Sequence, residues 1–241
     1  MRAVMFSEYG GPEVLHVADV DAPRPGPGQV RVAVRAAGVN PIDWKARSGV
    51  IRDVMPLQLP VVDGREAAGV VDAVGTGVNG VAPGDEVFGF AVGGAAAEEA
   101  LLDDFARKPA GLSWEEAAAL PVAVETSLRV FGILGGVGEG QTLVVNGAAG
   151  GVGVAAVQIA RARGARVIGT ASEANHEFLR SLGAEPTTYG DGMVQRIRAL
   201  ALAAAGRLSM PVRTFTFAEA GDAHRISFEG HVRGKLVLIP G

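Results

Sequence analysis

Three glycines spaced three residues apart form the most informative chemical motif of the sequence. Gly147, Gly150 and Gly153 belong to the segment VVNGAAGGVG, which follows an apolar run and leads into a helical pattern. Glycine permits the tight turn after a strand, and a backbone without Cβ atoms lets a pyrophosphate approach closely. The N-terminus of the following helix supplies free N–H groups and the positive end of its dipole.

The motif therefore predicts a dinucleotide site, although a glycine-rich turn with a purely structural role would look similar. The residues predicted to form this site are Gly147, Ala148, Ala149, Gly150, Gly151, Val152 and Gly153.

The end of the next strand bears on which dinucleotide binds. Units that bind NAD usually place Asp or Glu there, where the carboxylate binds the ribose hydroxyls. Here the strand ends with Thr170, Ala171 and Ser172, and Glu173 stands one residue beyond. Small hydroxyl side chains leave room for a 2′-phosphate, so Thr170 and Ser172 favour NADPH as the cofactor. Ser172 can also cap the following helix, and the two roles are compatible.

The composition excludes several other kinds of chemistry. The 241 residues include no cysteine, which rules out disulfides, thiolate metal sites and cysteine catalysis. With 22 basic and 26 acidic residues, the net charge of -4 gives no electrostatic reason to expect nucleic acid or an anionic membrane as partner. The sequence has neither an apolar run of about 18 residues nor a signal-peptide pattern, so we expect a cytoplasmic protein that does not span a membrane.

The elements that must position the glycine motif fall into two regions. The first region carries strand patterns at 30–36, 69–75 and 86–90. A capping box from Ser113 to Glu116 then opens an Ala-rich helix. Beyond it, strand and helix patterns alternate, which predicts a parallel α/β sheet. The segments concerned are a strand at 142–146, a helix at 151–163, a strand at 165–170, a helix from Ser172 to Gly183, helices at 193–200 and 218–228, and a closing strand at 234–239.

Five segments in chain order resemble the zinc-free quinone oxidoreductases of the zeta-crystallin type, within the medium-chain dehydrogenase/reductase superfamily. They are GGPEVL at 10–15, AGVNPIDWK at 37–45, GREAAGVV at 64–71, NGAAGGVG at 146–153 and GHVRGKLVL at 230–238. The resemblance implies an α/β fold with a GroES-like, β-rich catalytic domain at 1–122 and 209–241. It also implies a Rossmann-type nucleotide-binding domain at 123–208, and hydride transfer from NADPH to a quinone or an α,β-unsaturated carbonyl.

The same resemblance bears on metal binding. Zinc-dependent relatives have Cys where Asn40 stands and His where Arg65 stands, and neither Asn nor Arg is a zinc ligand of that kind. The four histidines are scattered along the chain rather than paired at metal-ligand spacing, at His16, His176, His224 and His231. We therefore expect no metal at the site.

By resemblance, Asn40 and Asp43 line the cleft beside the nicotinamide. Asn40 would donate a hydrogen bond to a substrate oxygen, or would serve as the cap of a turn before Pro41. Thr126 matches a threonine near the nicotinamide, and its alternative is an ordinary threonine inside a helix.

Three further residues have a role by resemblance and a plainer alternative. Trp44 would form a wall of the substrate cleft or belong to the core. Lys45 would steady a negatively charged intermediate or remain a solvated surface charge. Tyr189 matches a tyrosine that packs near the adenosine phosphate, and its alternative is an aromatic residue in a loop.

The sequence departs from the family after the helix at 193–200. About 70 residues of a six-stranded doubly wound domain are missing there, and 201–208 already resembles the final helix of that domain. The loss would expose one edge of the first strand and remove the strand through which family dimers pair, so we expect a homodimer, if any, to use a non-standard interface. An enoyl reductase of a biosynthetic pathway and a non-catalytic remnant that binds a nucleotide or a partner protein stay open as alternatives.

Overall fold

A computed structural model describes residues 1–204, 211–216, 219, 222, 225–226 and 235–239. Most of the helix predicted at 218–228 lies outside these residues, and so do His224 and His231. The fold class is α/β, as predicted. Antiparallel strands dominate the first half of the chain, and a parallel sheet with helices follows it.

An antiparallel barrel forms the centre of the β-rich half. The strands of this half are β1 (Arg2–Phe6), β2 (His16–Asp19), β3 (Val30–Ala37), β4 (Val61–Val62), β5 (Glu66–Val74), β6 (Glu86–Val92) and β7 (Glu99–Arg107). Strands β3, β5, β6 and β7 close the barrel, while β2, β1 and β4 form a separate sheet. Val30 and Val32 alternate into the barrel core and pack there with Leu102, as the period of two predicts. The three predicted strands are confirmed as β3, β5 and β6.

Three helices lie in or directly after the β-rich half. They are α1 (Pro41–Arg47), α2 (Trp114–Ala118) and α3 (Pro121–Ile133). Helix α1 stands between β3 and β4, and α2 and α3 follow β7 and lead to the second half. The predicted capping box is confirmed, since the N–H of Glu116 donates to Ser113 Oγ at 3.1 Å and the N–H of Ser113 donates back to Glu116 Oε2 at 2.8 Å. The helix opened by this box ends at Ala118. Pro121 starts a new helix because proline cannot continue the hydrogen-bond ladder of the preceding turn.

The second half is built on a three-stranded parallel sheet in the order β10, β9, β8. Its elements are β8 (Thr142–Val145), α4 (Gly151–Ala162), β9 (Arg166–Thr170), a 3-10 turn (Glu173–Asn175), α5 (His176–Ser181), β10 (Glu185–Thr187) and α6 (Met193–Ala204). Val157 of α4, Val167 of β9 and Leu179 of α5 are nearly inaccessible to solvent and form its core. The predicted alternation of strands and helices is confirmed.

Among the strands that the structure describes, β8 pairs only with β9, so its other edge has no partner strand. The expected edge exposure is thus present. Strands β11 (Val212–Thr216) and β12 (Lys235–Ile239) form a two-stranded parallel sheet, which includes the predicted closing strand. None of the helices in the described part of the chain combines the length and apolar character needed to cross a bilayer.

Candidate active site

The glycine turn between β8 and α4 is fixed by hydrogen bonds to the end of β9. The N–H of Gly147 donates to Thr170 Oγ1 at 3.1 Å, and the N–H of Ala148 donates to the carbonyl oxygen of Thr170 at 2.9 Å. Gly147 has a φ of +67°, a left-handed conformation that glycine adopts without strain. The turn is therefore a rigid connection rather than a loose loop.

The first turn of α4 has the shape required for a pyrophosphate. Gly150 occupies the N-cap position and has no side chain to cap the helix. A Cβ atom built on Gly151 would meet nothing within 4 Å, whereas one on Gly153 would lie 2.5 Å from the carbonyl oxygen of Gly147. The open space in front of Gly151 and the N–H groups of a twelve-residue helix can accept an anion. The residues present thus fit the phosphates of a dinucleotide.

Not all of the predicted cofactor residues face this open space. Ala148 and Thr170 are completely buried, and the hydroxyl of Thr170 also donates to Asn146 Oδ1. These two residues stabilise the turn through buried hydrogen bonds and do not face the open space. Ser172 is half-buried at the N-cap of the 3-10 turn, where its hydroxyl makes no capping bond but accepts from Asn175 Nδ2 at 2.9 Å.

Tyr189 is 62% exposed and follows β10, while Ser172 follows β9. Both residues therefore lie beyond the carboxyl ends of parallel strands, where ligands bind in open α/β sheets.

Glu66 at the start of β5 is the centre of a polar network. It is 1% exposed, and its Oε1 accepts a hydrogen bond from Asn40 Nδ2 at 2.6 Å. Its Oε2 accepts from the N–H of Val122 in the first turn of α3 at 2.8 Å, so the carboxylate caps that helix from a remote strand. Burial raises the pKa of Glu66 above its ordinary value, although both hydrogen bonds oppose the shift.

The contact with Glu66 leaves room only for glycine at position 38, because a Cβ on Gly38 would lie 2.1 Å from Oε1. Sequence reasoning did not single out Glu66 as a site residue. The available indication was a carboxylate at the start of an otherwise apolar strand pattern.

Asp43 lies beside this network on α1 and is 4% exposed. Its Oδ2 accepts from the N–H of Asn40 at 2.7 Å, which makes Asn40 the N-cap of α1. Its Oδ1 has no hydrogen-bond donor among the described residues, and the nearest cation, Arg65 Nε, is 3.9 Å away. Burial raises the pKa of Asp43. Asn40 therefore begins the helix and also presents its side chain to the network.

Thr126 lies within α3 and is half-buried. Its neighbour Ser127 is 1% exposed, and its single hydroxyl hydrogen is shared between the carbonyl oxygens of Ala123 and Val152, which lie 2.8 and 3.2 Å from Oγ. Val152 belongs to the first turn of α4, so Ser127 joins α3 to the glycine turn. Sequence reasoning identified Thr126 and missed Ser127, because only packing shows which of two adjacent hydroxyls points inward.

Trp44 and Lys45 lie together on α1. Trp44 is 48% exposed, and the ammonium group of Lys45 is 5.7 Å from the centroid of its ring. Trp44 therefore does not belong to the core. Neither residue lines the groove described next.

A groove of about 460 Å³ runs along the glycine turn and reaches the start of α1. Pro41 at the start of α1, Ser127 of α3 and Val144 of β8 line it together with the glycines at 147, 150, 151 and 153. Because Pro41 follows Asn40 directly, the groove runs from the glycine turn towards the N-terminus of α1. In the described part of the chain, no three His, Asp or Glu side chains come together as a metal-binding group.

Comparison with known proteins shows which family the chain belongs to. Residues 26–143 match the alcohol dehydrogenase GroES-like domain, and residues 125–238 match a family described as zinc-binding dehydrogenase. A mycobacterial protein solved in complex with NADPH is 30% identical with a TM-score of 0.73, and the alignment covers 100% of this chain and 74% of that one. The solved quinone oxidoreductase of Coxiella burnetii is 30% identical with a TM-score of 0.70, and the alignment covers 99% of this chain and 98% of that one. The chain belongs to the quinone oxidoreductases of the medium-chain dehydrogenase/reductase superfamily.

Two curated relatives show how much of the chain is shared with longer proteins. The quinone oxidoreductase of Rattus norvegicus is 40% identical over 189 residues, which cover 76% of this chain and 57% of the rat protein. A pikromycin polyketide synthase component of Streptomyces venezuelae is 40% identical over 198 residues, which cover 81% of this chain and 5% of that protein. The chain thus spans little more than half the length of the rat quinone oxidoreductase.

Proposed function

We propose that the chain is a zinc-independent reductase that transfers hydride from NADPH to a quinone or an α,β-unsaturated carbonyl compound. The observation that carries this proposal is the groove that runs from the open glycine turn to Pro41, the residue of α1 that directly follows Asn40. When bound there, NADPH supplies the hydride. The residues of the chain hold the two reactants together and stabilise the charge that develops on the substrate oxygen.

Asn40 is the residue best placed to orient the substrate oxygen. Its side-chain nitrogen carries two hydrogens, and Glu66 accepts only one of them. Glu66 is buried and also bound to α3, so it fixes the direction of the amide group. The second N–H is then available to donate to a carbonyl oxygen that becomes negatively charged as hydride arrives.

The choice of NADPH over NADH is supported by Ser172, which offers a hydroxyl after β9 where NAD-binding units carry a carboxylate. In this proposal, the phosphates lie in front of Gly151 and the adenosine end lies near Ser172 and Tyr189. Residues 1–122 and 209–241 act as the catalytic domain, and residues 123–208 act as the nucleotide-binding domain.

A titration of the purified chain with NADPH and, separately, NADH tests the cofactor assignment. Nicotinamide fluorescence measures binding, and we expect saturable binding of NADPH and weaker binding of NADH. Oxidation of NADPH by a simple quinone, followed at the absorbance of the reduced nicotinamide, then tests catalysis. Failure to bind either nucleotide would contradict the proposal.

A second enzymatic candidate is an enoyl reductase of a biosynthetic pathway. The similarity to a polyketide synthase component favours it. The two reductases differ in substrate, so the relative rates with quinones and with enoyl thioesters distinguish them.

The candidate from another class is a non-catalytic remnant that binds the nucleotide or a partner protein. The short span relative to the rat protein favours it, and so does the edge of β8, with which no described strand pairs. NADPH binding without reduction of any acceptor would support this candidate.

A further inference from the structure

Asn146 directly follows β8 and is the last residue before the glycine turn. It is exposed and lines the groove beside Gly147. Of the described residues that line this groove, only Asn146 and Ser127 have polar side chains. The hydroxyl hydrogen of Ser127 is already shared between two backbone carbonyl oxygens. A ligand in the groove therefore finds its side-chain hydrogen-bond donor in Asn146.

The buried hydroxyl of Thr170 fixes the direction of the Asn146 amide. Thr170 Oγ1 accepts the N–H of Gly147 at 3.1 Å and donates its own hydrogen to Asn146 Oδ1. Thr170 is completely buried, so its hydroxyl hydrogen needs this acceptor, and the oxygen of the amide must face it. Because the amide is planar, its nitrogen then points away from Thr170. Within the described part of the chain, Asn146 Nδ2 donates to no other residue, and both of its hydrogens are available to a ligand in the groove.

The order of the strands indicates which half of a dinucleotide passes Asn146. The sheet runs β10, β9, β8, and Tyr189 and Ser172 follow the first two of these strands. In the proposed function, the adenosine end lies near these two residues and the phosphates lie in front of Gly151. The other half of the nucleotide then continues past the end of β8, along the groove towards Pro41. The first group after the phosphates is the nicotinamide ribose, whose hydroxyl oxygens accept hydrogen bonds.

We infer that Asn146 Nδ2 donates a hydrogen bond to a hydroxyl oxygen of the nicotinamide ribose, and that Thr170 is the positioning residue that directs the amide. The inference rests on the proposed reductase function, because it assigns a further binding residue to the same cofactor site. The contact holds the nicotinamide half in the groove between the glycine turn and the start of α1.

The test uses the two halves of NADPH as separate probes of the full chain. Reduced nicotinamide mononucleotide represents one half and adenosine 2′,5′-bisphosphate the other, and ligand-observed NMR measures each dissociation constant. Asn146→Ala should weaken binding of the nicotinamide nucleotide by about three- to tenfold, the range expected for one neutral hydrogen bond. Binding of the adenosine bisphosphate should stay within about twofold. Unchanged affinity for the nicotinamide nucleotide would overturn the inference.

A matched control and a third probe exclude the simpler roles of Asn146. Asn79→Ala removes an exposed asparagine that does not line the groove, so it should leave both affinities unchanged. If Asn146 only supported the glycine turn, Asn146→Ala would weaken both halves equally, and that result would overturn the inference. Inorganic pyrophosphate is the third probe. A loss of pyrophosphate affinity as large as that of the nicotinamide nucleotide would assign Asn146 to the phosphates and would also overturn it.

A second measurement uses the wild-type chain and does not depend on the folding of a variant. The side-chain amide of Asn146 gives its own NMR signals, which are assigned through the backbone of the same residue. Reduced nicotinamide mononucleotide should shift these signals, because the amide gains a hydrogen bond. Adenosine 2′,5′-bisphosphate should shift them less. Unshifted Asn146 amide signals at saturation with the nicotinamide nucleotide would contradict the contact.

The outcomes also separate this inference from the proposed function. A chain that reduces a quinone with NADPH, and whose Asn146→Ala variant binds the nicotinamide nucleotide normally, contradicts only the ribose contact. A chain that shows the contact at Asn146 but reduces no acceptor contradicts only the reductase function.

Discussion

Glu66 is a residue whose carboxylate contacts two segments far from it in the chain, Asn40 at the start of α1 and Val122 in α3. Both contacts are made within a completely buried environment, where an unmade hydrogen bond is most costly. The network therefore combines a structural role with control over the direction of the Asn40 amide.

Replacing Glu66 with Gln tests the structural role. The amide keeps one acceptor oxygen but presents N–H hydrogens to either Asn40 or Val122, so one donor faces another. We expect the free energy of unfolding in urea to fall by about 1–3 kcal/mol. Glu139→Gln is the control, since Glu139 is exposed and should change stability by less than about 0.5 kcal/mol. A Glu66→Gln chain as stable as the control would show that the network contributes little.

The raised pKa of Glu66 predicts how the difference in free energy of unfolding between wild type and Glu66→Gln depends on pH. The folded protein retains a proton at pH values where the unfolded chain, with the ordinary value of 4.5, has lost it. The contribution of Glu66 to stability therefore increases as the pH falls through the raised pKa and levels off below 4.5. Gln cannot titrate, so the stability difference between wild type and Glu66→Gln should grow as the pH falls towards 4.5. Urea unfolding at several pH values measures it, and a constant difference would contradict the shift.

At the scale of elements, two glycines in the first turn of α4 differ in their surroundings, one packed against backbone and the other open to a ligand. Gly153 has no room for a side chain because the backbone of Gly147 and Ala148 lies against it, whereas Gly151 faces open space. The fold therefore requires glycine at position 153. In the proposed function, the phosphates require glycine at position 151.

A pair of alanine variants distinguishes these two requirements. Gly153→Ala should lower the free energy of unfolding by about 1–3 kcal/mol, because backbone must move to admit the methyl group. Gly151→Ala should leave stability within about 0.5 kcal/mol and weaken NADPH binding, because its methyl group occupies the space for the phosphates. Thermal unfolding and fluorescence titration provide the two measurements. Unchanged NADPH affinity in Gly151→Ala would contradict the assigned phosphate position.

At the scale of the whole molecule, no strand in the described part of the chain pairs with the outer edge of β8, which sets this chain apart from a complete doubly wound domain. Val144 on this strand is 43% exposed, and Ile133 and Leu134 at the end of α3 are 80% and 58% exposed. An edge strand with free backbone groups and apolar neighbours tends to pair with another chain. A homodimer of this protein would then use this edge.

Adding a charge to the edge tests this expectation. Val144→Lys should shift the protein towards monomer, because a lysine ammonium opposes strand pairing. Sedimentation velocity over a range of protein concentrations measures the change. Val54→Lys adds the same charge at a position that is 84% exposed and outside the parallel sheet, so it should leave association unchanged. If Val144→Lys and Val54→Lys associate to the same extent, the interface lies away from the β8 edge.

The sequence by itself determined the features that depend on local pattern. Alternating residues predicted β3, and the glycine spacing predicted the turn between β8 and α4, because strand period and turn conformation are set by neighbouring residues. The capping box at Ser113 was predicted for the same reason. The resemblance to the quinone oxidoreductases added the family, and the comparisons confirmed it.

Only the tertiary structure decided which side chains meet. Glu66 is 26 residues from Asn40 in the chain, yet the two are hydrogen-bonded, and Ser127 rather than Thr126 reaches the first turn of α4. Such contacts depend on how separate elements pack, and no local pattern of residues carries that information.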